Sequence, residues 1–240
     1  PRRSGAVLPR PRHAAAVGEA AVSGRDAPYR EARGSGLDGA RATARGTVAT
    51  LSATRAPAAD RPGWRVLRWR RTSDLENSSV AVAADRASTT PANDQFSTPA
   101  EAWGLNAAWR VRRGGLEGEL GLDARRAEGE TRELFRFMGG RFTRTRIAGG
   151  EVGAYAEGSW TDGPWLVAGG LRLDRWDATG GFRREADAQT GAVTLDAPAS
   201  DRSGEVVSAR LGVRRALGSD WSVRAAAYSA FRPATLNELH

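Results

Sequence analysis

Glu151-Val152-Gly153-Ala154-Tyr155-Ala156-Glu157-Gly158-Ser159-Trp160, followed closely by Trp165-Leu166-Val167-Ala168-Gly169-Gly170-Leu171-Arg172-Leu173-Asp174-Arg175-Trp176, carries the pattern on which the fold turns. In the first stretch Val152, Ala154, Ala156 and Trp160 fall on one side of a period of two. Glu151, Tyr155, Glu157 and Ser159 fall on the other. In the second, Trp165, Val167, Leu171 and Leu173 oppose Arg172 and Asp174. A period of two belongs to a β-strand, whose successive side chains leave opposite faces. A tight turn at Thr161–Gly163 or Gly163–Pro164 makes the two stretches an antiparallel hairpin.

The same period extends outward. Leu116, Leu120, Leu122 and Ala124 oppose Glu117, Glu119, Asp123 and Arg125, and Trp103, Leu105, Ala107, Trp109 and Val111 oppose Asn106 and Arg110. Val207, Ala209, Leu211 and Val213 oppose Ser208, Arg210 and Arg214. Trp221, Val223, Ala225, Ala227 and Phe231 oppose Ser222, Arg224 and Tyr228. Two less regular strands are expected at Arg45–Thr54 and Trp64–Arg71, giving about eight in a meander. Their connections alternate in length. Thr72–Glu101, Ala127–Gly150 and Asp177–Ser203 are long and polar, whereas tight turns are expected near Arg113, Gly163 and Gly218. Short turns at one edge and long loops at the other mark a transmembrane barrel, and a soluble sandwich has no reason to sort its loops so. The tryptophans agree. Trp64, Trp109, Trp160, Trp165 and Trp221 border the short turns, and Trp103 and Trp176 border the long loops, as two girdles at headgroup level would. The fold class expected is all-β: an antiparallel transmembrane β-barrel fragment over residues 41–240. Apolar side chains face lipid, and Glu117, Glu119, Asp123, Glu157, Asp174, Arg110, Arg125, Arg172, Arg210 and Arg224 line the other face.

Residues 1–40 read differently. Pro1, Pro9, Pro11 and Pro28 stand among Arg, Ala and Gly with few large apolar residues, so this stretch is expected to be a disordered or divergent arm, with room for a short helix across Ala14–Val22. Within it Gly34-Ser35-Gly36-Leu37-Asp38-Gly39 matches the spacing of a dinucleotide-binding loop. No apolar strand precedes it, so no cofactor is expected.

Composition narrows the function classes. The chain has 240 residues and begins at Pro1, which reads as a segment of a longer chain. Its longest uninterrupted apolar stretch, Trp165–Leu171, is far short of the about 20 residues of a membrane helix. There is no Cys, and His13 and His240 stand at opposite ends, which disfavours a metal site, a Cys nucleophile or a Ser/His/Asp triad. The net charge is +8, yet all 36 basic residues are Arg, spread among 28 acids rather than gathered in a patch, so no nucleic-acid partner is expected.

The run Phe231-Arg232-Pro233-Ala234-Thr235-Leu236-Asn237-Glu238-Leu239 resembles the Phe-Arg-x-Pro-Thr-Leu-Asn-Glu-Leu-Tyr signature in the barrels of TonB-dependent outer-membrane receptors. Phe231, Arg232, Thr235, Leu236, Asn237, Glu238 and Leu239 match. Pro233 and Ala234 are exchanged, and His240 replaces Tyr. The stretch Trp165–Asp174 is similar to a common strand of these barrels, and Gly150–Gly163 to the strand and turn before it. The resemblance spans residues 45–240, a middle portion beside the about 22 strands of such transporters. It implies a non-enzymatic receptor in the outer membrane of a Gram-negative bacterium. Such a receptor takes up a scarce small molecule or metal chelate (a ferric siderophore, a cobalamin or an oligosaccharide). Its partners are membrane lipid and, through the full-length protein, a plug domain and TonB. Ligand contact is expected in the long loops, where Asp94, Gln95, Phe96, Arg132, Phe135, Phe137, Arg141 and Phe142 offer charge and stacking. The competing reading of those residues is loop-to-loop packing. Two other classes stay open: a passive porin or autotransporter barrel, and a soluble Arg-rich binding protein.

Overall fold

A computed structural model of the chain describes residues 13–17, 19–34 and 36–232. Among them are twelve strands: β1 (His13–Val17), β2 (Ala20–Gly34), β3 (Arg41–Arg55), β4 (Gly63–Val82), β5 (Thr89–Ser97), β6 (Ala100–Arg113), β7 (Leu116–Phe135), β8 (Arg141–Asp162), β9 (Trp165–Asp187), β10 (Val193–Pro198), β11 (Arg202–Ala216) and β12 (Ser222–Tyr228). All lie in one antiparallel sheet in chain order. β5 and β6 both pair with β4 and β7, so they occupy one position as a broken strand. β10 and β11 do the same against β9.

The short turns set the register. Gly114 (φ 56) follows β6, and Gly163 (φ 49) follows β8, each opening a two-residue connection. A left-handed first residue is what a type II′ hairpin demands, and glycine adopts it without a Cβ clash. From the first of these turns β7 and β8 stay in register without a break from Leu116↔Trp160 to Phe135↔Arg141. Register then fixes the faces. Val66, Ala107, Leu122, Ala154, Leu173 and Val207 lie side by side across six strands. One residue along, Asn106, Asp123, Gly153 and Asp174 form a row on the opposite face.

The apolar face is open. Leu122 is 61%, Leu171 63% and Val207 67% exposed, whereas the buried apolar residues among those described are only Ala108, Ile147, Ala148 and Ala178. So large an uncovered apolar surface on a single-layer sheet fits a lipid-facing wall. Trp64 pairs with Trp109, Leu116 with Trp160, and Arg215 stacks 4.9 Å over the Trp165 ring, all on this face near the short turns. Trp176 departs from the girdle expectation. It pairs with Glu151 on the charged face, and its indole fills the space beside Gly204.

Two expectations are corrected. The long connections are not structureless: β4, β7, β8 and β9 continue past the apolar band, and with β5 and β10 they make three long hairpins. Apolar alternation ends where both faces meet water, but backbone pairing does not need it. Residues 1–40, expected as a disordered or divergent arm, contain β1 and β2, and β2 pairs with β3 from Ala20↔Arg55 to Gly34↔Arg41. No helix forms at 14–17 or 20–22, where β1 and β2 make a hairpin. A neighbouring strand satisfies the β2 backbone, so the low apolar content of this stretch does not prevent pairing. Of the dinucleotide-like glycines, Gly34 ends strand β2, and Gly36 and Gly39 lie in the turn before strand β3.

Leu171→Arg is expected to lower stability in lipid vesicles by roughly 2–4 kcal/mol, and Ala168→Arg, on the opposite face of β9, by less. Urea unfolding of the two variants in the bilayer checks the facing.

Candidate functional site

On the charged face, Arg172 is a hub. Its Nη1 and Nη2 donate to the Asp123 carboxylate at 2.6 and 3.0 Å, and its Nε donates to Asp174 Oδ2 at 2.8 Å. Glu151 lies 3.6 Å from Nη2 and also pairs with Arg125. The Asp174 side chain is only 5% exposed, so the planar guanidinium fork serves one buried and one half-buried carboxylate at once. Four residues along β8 from Glu151, Tyr155 donates to Glu119 Oε1 at 2.6 Å, and Arg110 and Arg65 approach the same carboxylate. The Tyr155 ring lies over Gly121, where a Cβ would come within 2.2 Å of the ring. Glu117 pairs with Arg112 at 2.7 Å, and Glu157 with Arg210. Every carboxylate named here is held by arginine, which is what a charged wall requires and leaves no free acid–base pair. Alternation places these charges on one face; that Tyr155 completes the Glu119 cluster follows only from register.

The residues expected to contact ligand all lie on or beside the long hairpins, but they divide between two faces. Gln95 and Phe135 belong to the charged face, as does Arg141, which stacks 5.7 Å over the Phe135 ring. Phe137, in the turn between β7 and β8, packs against Phe135 at 5.4 Å. Arg141 also reaches Glu185 at 3.4 Å, an acid on β9 that sequence reading passed over because 177–203 reads as loop. The alternation Arg183, Glu185, Asp187 was the signal available. Asp94, Phe96, Arg132 and Phe142 occupy the other face. There Phe96 meets Phe142 edge to face at 6.4 Å, Asp94 pairs with Arg136 at 3.5 Å, and Arg132 pairs with Glu130. These four are engaged within the hairpins.

Glu130 and Asp187, both outside the apolar band, are held below their ordinary range. Glu130 accepts from Arg144 Nε at 2.7 Å and Nη2 at 2.6 Å, and Arg132 binds it from its own strand. These contacts outweigh the opposing effect of partial burial. Asp187 Oδ1 accepts from the Thr190 N–H and hydroxyl, each at 2.8 Å, and from the Gln189 N–H, closing the turn after β9. Of the terminal motif, Phe231 and Arg232 follow β12, and Thr235, Leu236, Asn237, Glu238 and Leu239 lie outside the described residues.

The sequence model of the family described as "TonB dependent receptor-like, beta-barrel" matches residues 4–240. A search of curated proteins finds no significant match. Among solved structures, the chain is similar to the ferric yersiniabactin uptake receptor FyuA from Yersinia pestis (11% identity, 86% of this chain, 33% of that one, TM-score 0.61). It is similar to the ferric citrate transporter FecA (14% identity, 87% and 33%, TM-score 0.58). The ferric-catecholate import receptor Fiu from E. coli K12 also resembles it (10% identity, 86% and 40%, TM-score 0.59). At these identities the likeness is one of fold, and the chain spans about a third of the length of the first of these structures.

Arg172→Leu is expected to destabilise the barrel near the lower end of about 3–5 kcal/mol, since the arginine side chain keeps 30% of its exposure. Adding Asp174→Asn should recover part of the loss in urea unfolding. For Glu130 the folded-state pKa is depressed, so its contribution is present above the unfolded value and lost as pH falls through the folded one. Amide exchange across 130–146, corrected for intrinsic rate, should rise on acidification below the ordinary carboxylate range, and Glu130→Gln should remove that pH dependence.

Proposed function

Because the chain belongs to the TonB-dependent receptor β-barrel family, whose barrels lie in the bacterial outer membrane, we propose that it forms part of the wall of a receptor that actively takes up a scarce anionic metal chelate. The observation that carries the ligand class is the group on the charged face of the β7–β8 hairpin. Phe135 and Phe137 supply ring faces and Arg141 supplies a guanidinium stacked on one of them, while Gln95, on neighbouring β5, lies on the same face with its amide N–H donating to Thr98 Oγ1 at 2.8 Å. Aromatic surface with a planar cation suits a flat, negatively charged complex better than a neutral sugar. Glu185 holds Arg141 in place at 3.4 Å, and an incoming anion would compete for that contact. The solved relatives named for iron-chelate uptake support the same class. In this reading a plug and TonB act through the full-length receptor, and the Arg172 and Glu119 clusters form the wall against which the plug lies.

The test is titration of the full-length receptor with ferric chelates of citrate, catecholate and hydroxamate types, with tryptophan fluorescence as readout. Phe135→Ala and Arg141→Ala are expected to weaken binding about tenfold each, and Arg132→Ala, on the opposite face, to leave it unchanged. Equal loss from all three, or tight binding of cobalamin instead, would overturn the ligand class.

A further inference from the structure

The outer face changes character at one level. Along β4 the apolar residues Trp64 and Val66 give way to Arg68 and Arg70. Along β6 the last apolar residue is Trp103, and along β7 Ala124 gives way to Arg126. Register gathers these. Arg70 is directly opposite Trp103, Trp103 is directly opposite Arg126, and Arg68 is opposite Leu105, one step toward the apolar band. An exposed indole is thus flanked across both neighbouring strands by exposed guanidinium groups.

The local charges do not cancel. Glu101 takes Arg70 at 2.8 Å, and Glu128, the next acid along β7, takes Arg146 at 3.3 Å. Among the described residues neither Arg68 nor Arg126 has a hydrogen bond or an ion pair, although Glu117, Glu119, Asp123, Glu130, Glu151 and Glu157 all do. Beyond Arg126 the next residue across is Gly150, and the Asp177 carboxylate leans over that glycine without forming an ion pair with Arg126.

An arginine on the lipid-facing side is tolerated near the interface and costly toward the midplane, where it must reach outward. Two unpaired ones beside a girdle indole are accounted for by an anion at the same depth. The anion found there is a lipid phosphate, whose tails would lie on Val66, Leu105 and Leu122 below.

We propose that Arg68, Arg70 and Arg126, set around Trp103 where the apolar band meets the long hairpins, form a docking site for the phosphate headgroup of a membrane lipid. The site rests on the placement of the barrel in a bilayer. It gives the outer wall a bound lipid on the side that carries the proposed ligand group, on the face opposite that group.

The test uses the full-length receptor in non-ionic detergent, with bound lipid counted by native mass spectrometry. The probes are dioleoyl phosphatidate, dioleoylglycerol with the same tails, and inorganic phosphate. The wild-type protein is expected to retain phosphatidate and release dioleoylglycerol. Arg68→Ala with Arg126→Ala should lower phosphatidate retention about tenfold, and Arg68→Lys with Arg126→Lys should keep most of it. Heat-resistant gel mobility identifies the folded barrel, and the two-lipid comparison on the wild type needs no variant to fold. Equal retention of both lipids, equal phosphatidate retention in the alanine variant, or displacement by millimolar inorganic phosphate would each overturn the site. A receptor that stays monodisperse without detergent would overturn the bilayer placement itself, whereas one that needs detergent yet fails these comparisons loses only the docking site.

Discussion

The structure depends on one constraint: in hydrocarbon every backbone N–H and C=O must find a partner within the protein, at a cost of several kcal/mol for each that does not. A sheet meets this only by pairing each strand along its length, and a meander does so with the shortest connections. Pairing fixes register, and register fixes facing. A slip of one residue in β9 would turn Arg172 and Asp174 into lipid and Leu171 and Leu173 inward. The pairing is maintained even where strands are interrupted. At the break between β5 and β6, Asp74 accepts the Thr98 N–H at 2.8 Å, and Pro99 O accepts the Glu130 N–H at 2.9 Å. At the break between β10 and β11, Asp201 accepts the Gly180 N–H at 3.0 Å, and Gly181 O accepts the Ala199 N–H at 2.8 Å.

The charged face obeys a related rule. Carboxylates on a wall that is partly shielded from water need partners that can serve several oxygens. The guanidinium of Arg172 does this for Asp123 and Asp174 together, and Arg110 and Arg65 converge with Tyr155 on Glu119. A lysine ammonium could satisfy only part of such a set because it lacks the planar fork. The same chemistry ties strands that are not direct neighbours, since Arg172 on β9 reaches Asp123 on β7 across β8.

The membrane-crossing part was legible in the sequence because each strand there has two chemically different faces. Glu151–Trp160 and Trp165–Asp174 show period two as plainly as any helix shows its stripe, and Gly114 and Gly163 mark the turns. The parts that were not legible have two similar faces. β2 has Ala and Arg on both sides and few large apolar residues on either, so its pairing with β3 leaves no trace in hydropathy. The hairpin segments past Gly129 and Asp177 are wet on both sides and alternate Arg with Glu or Thr. Trp176 was misassigned because an indole near a strand end suits either a girdle or a charged wall, and only its opposition to Glu151 decides. Half of the residues proposed from their chemistry for ligand contact shared a level but not a face, because facing beyond the apolar band depends on a register that hydropathy does not report.

The two strand breaks and the bulge between β8 and β9 lie on one line. It runs from Thr98–Pro99 past Glu130, through Arg146–Ala148 and Gly180–Gly181, to Ala199–Asp201. The few buried apolar residues Ile147, Ala148 and Ala178 sit along it. At the strand breaks and the bulge a break in register is also a break in phase, while β7 and β8 cross the line in unbroken register. On the far side of this line a strand can gain or lose residues without rotating the side chains that face lipid. The line therefore separates a part of the sequence that is free to diverge, the hairpins, from a part in which a one-residue insertion would invert the rest of a strand. Such a seam lets a lineage change what the hairpins recognise while the wall beneath them is inherited intact.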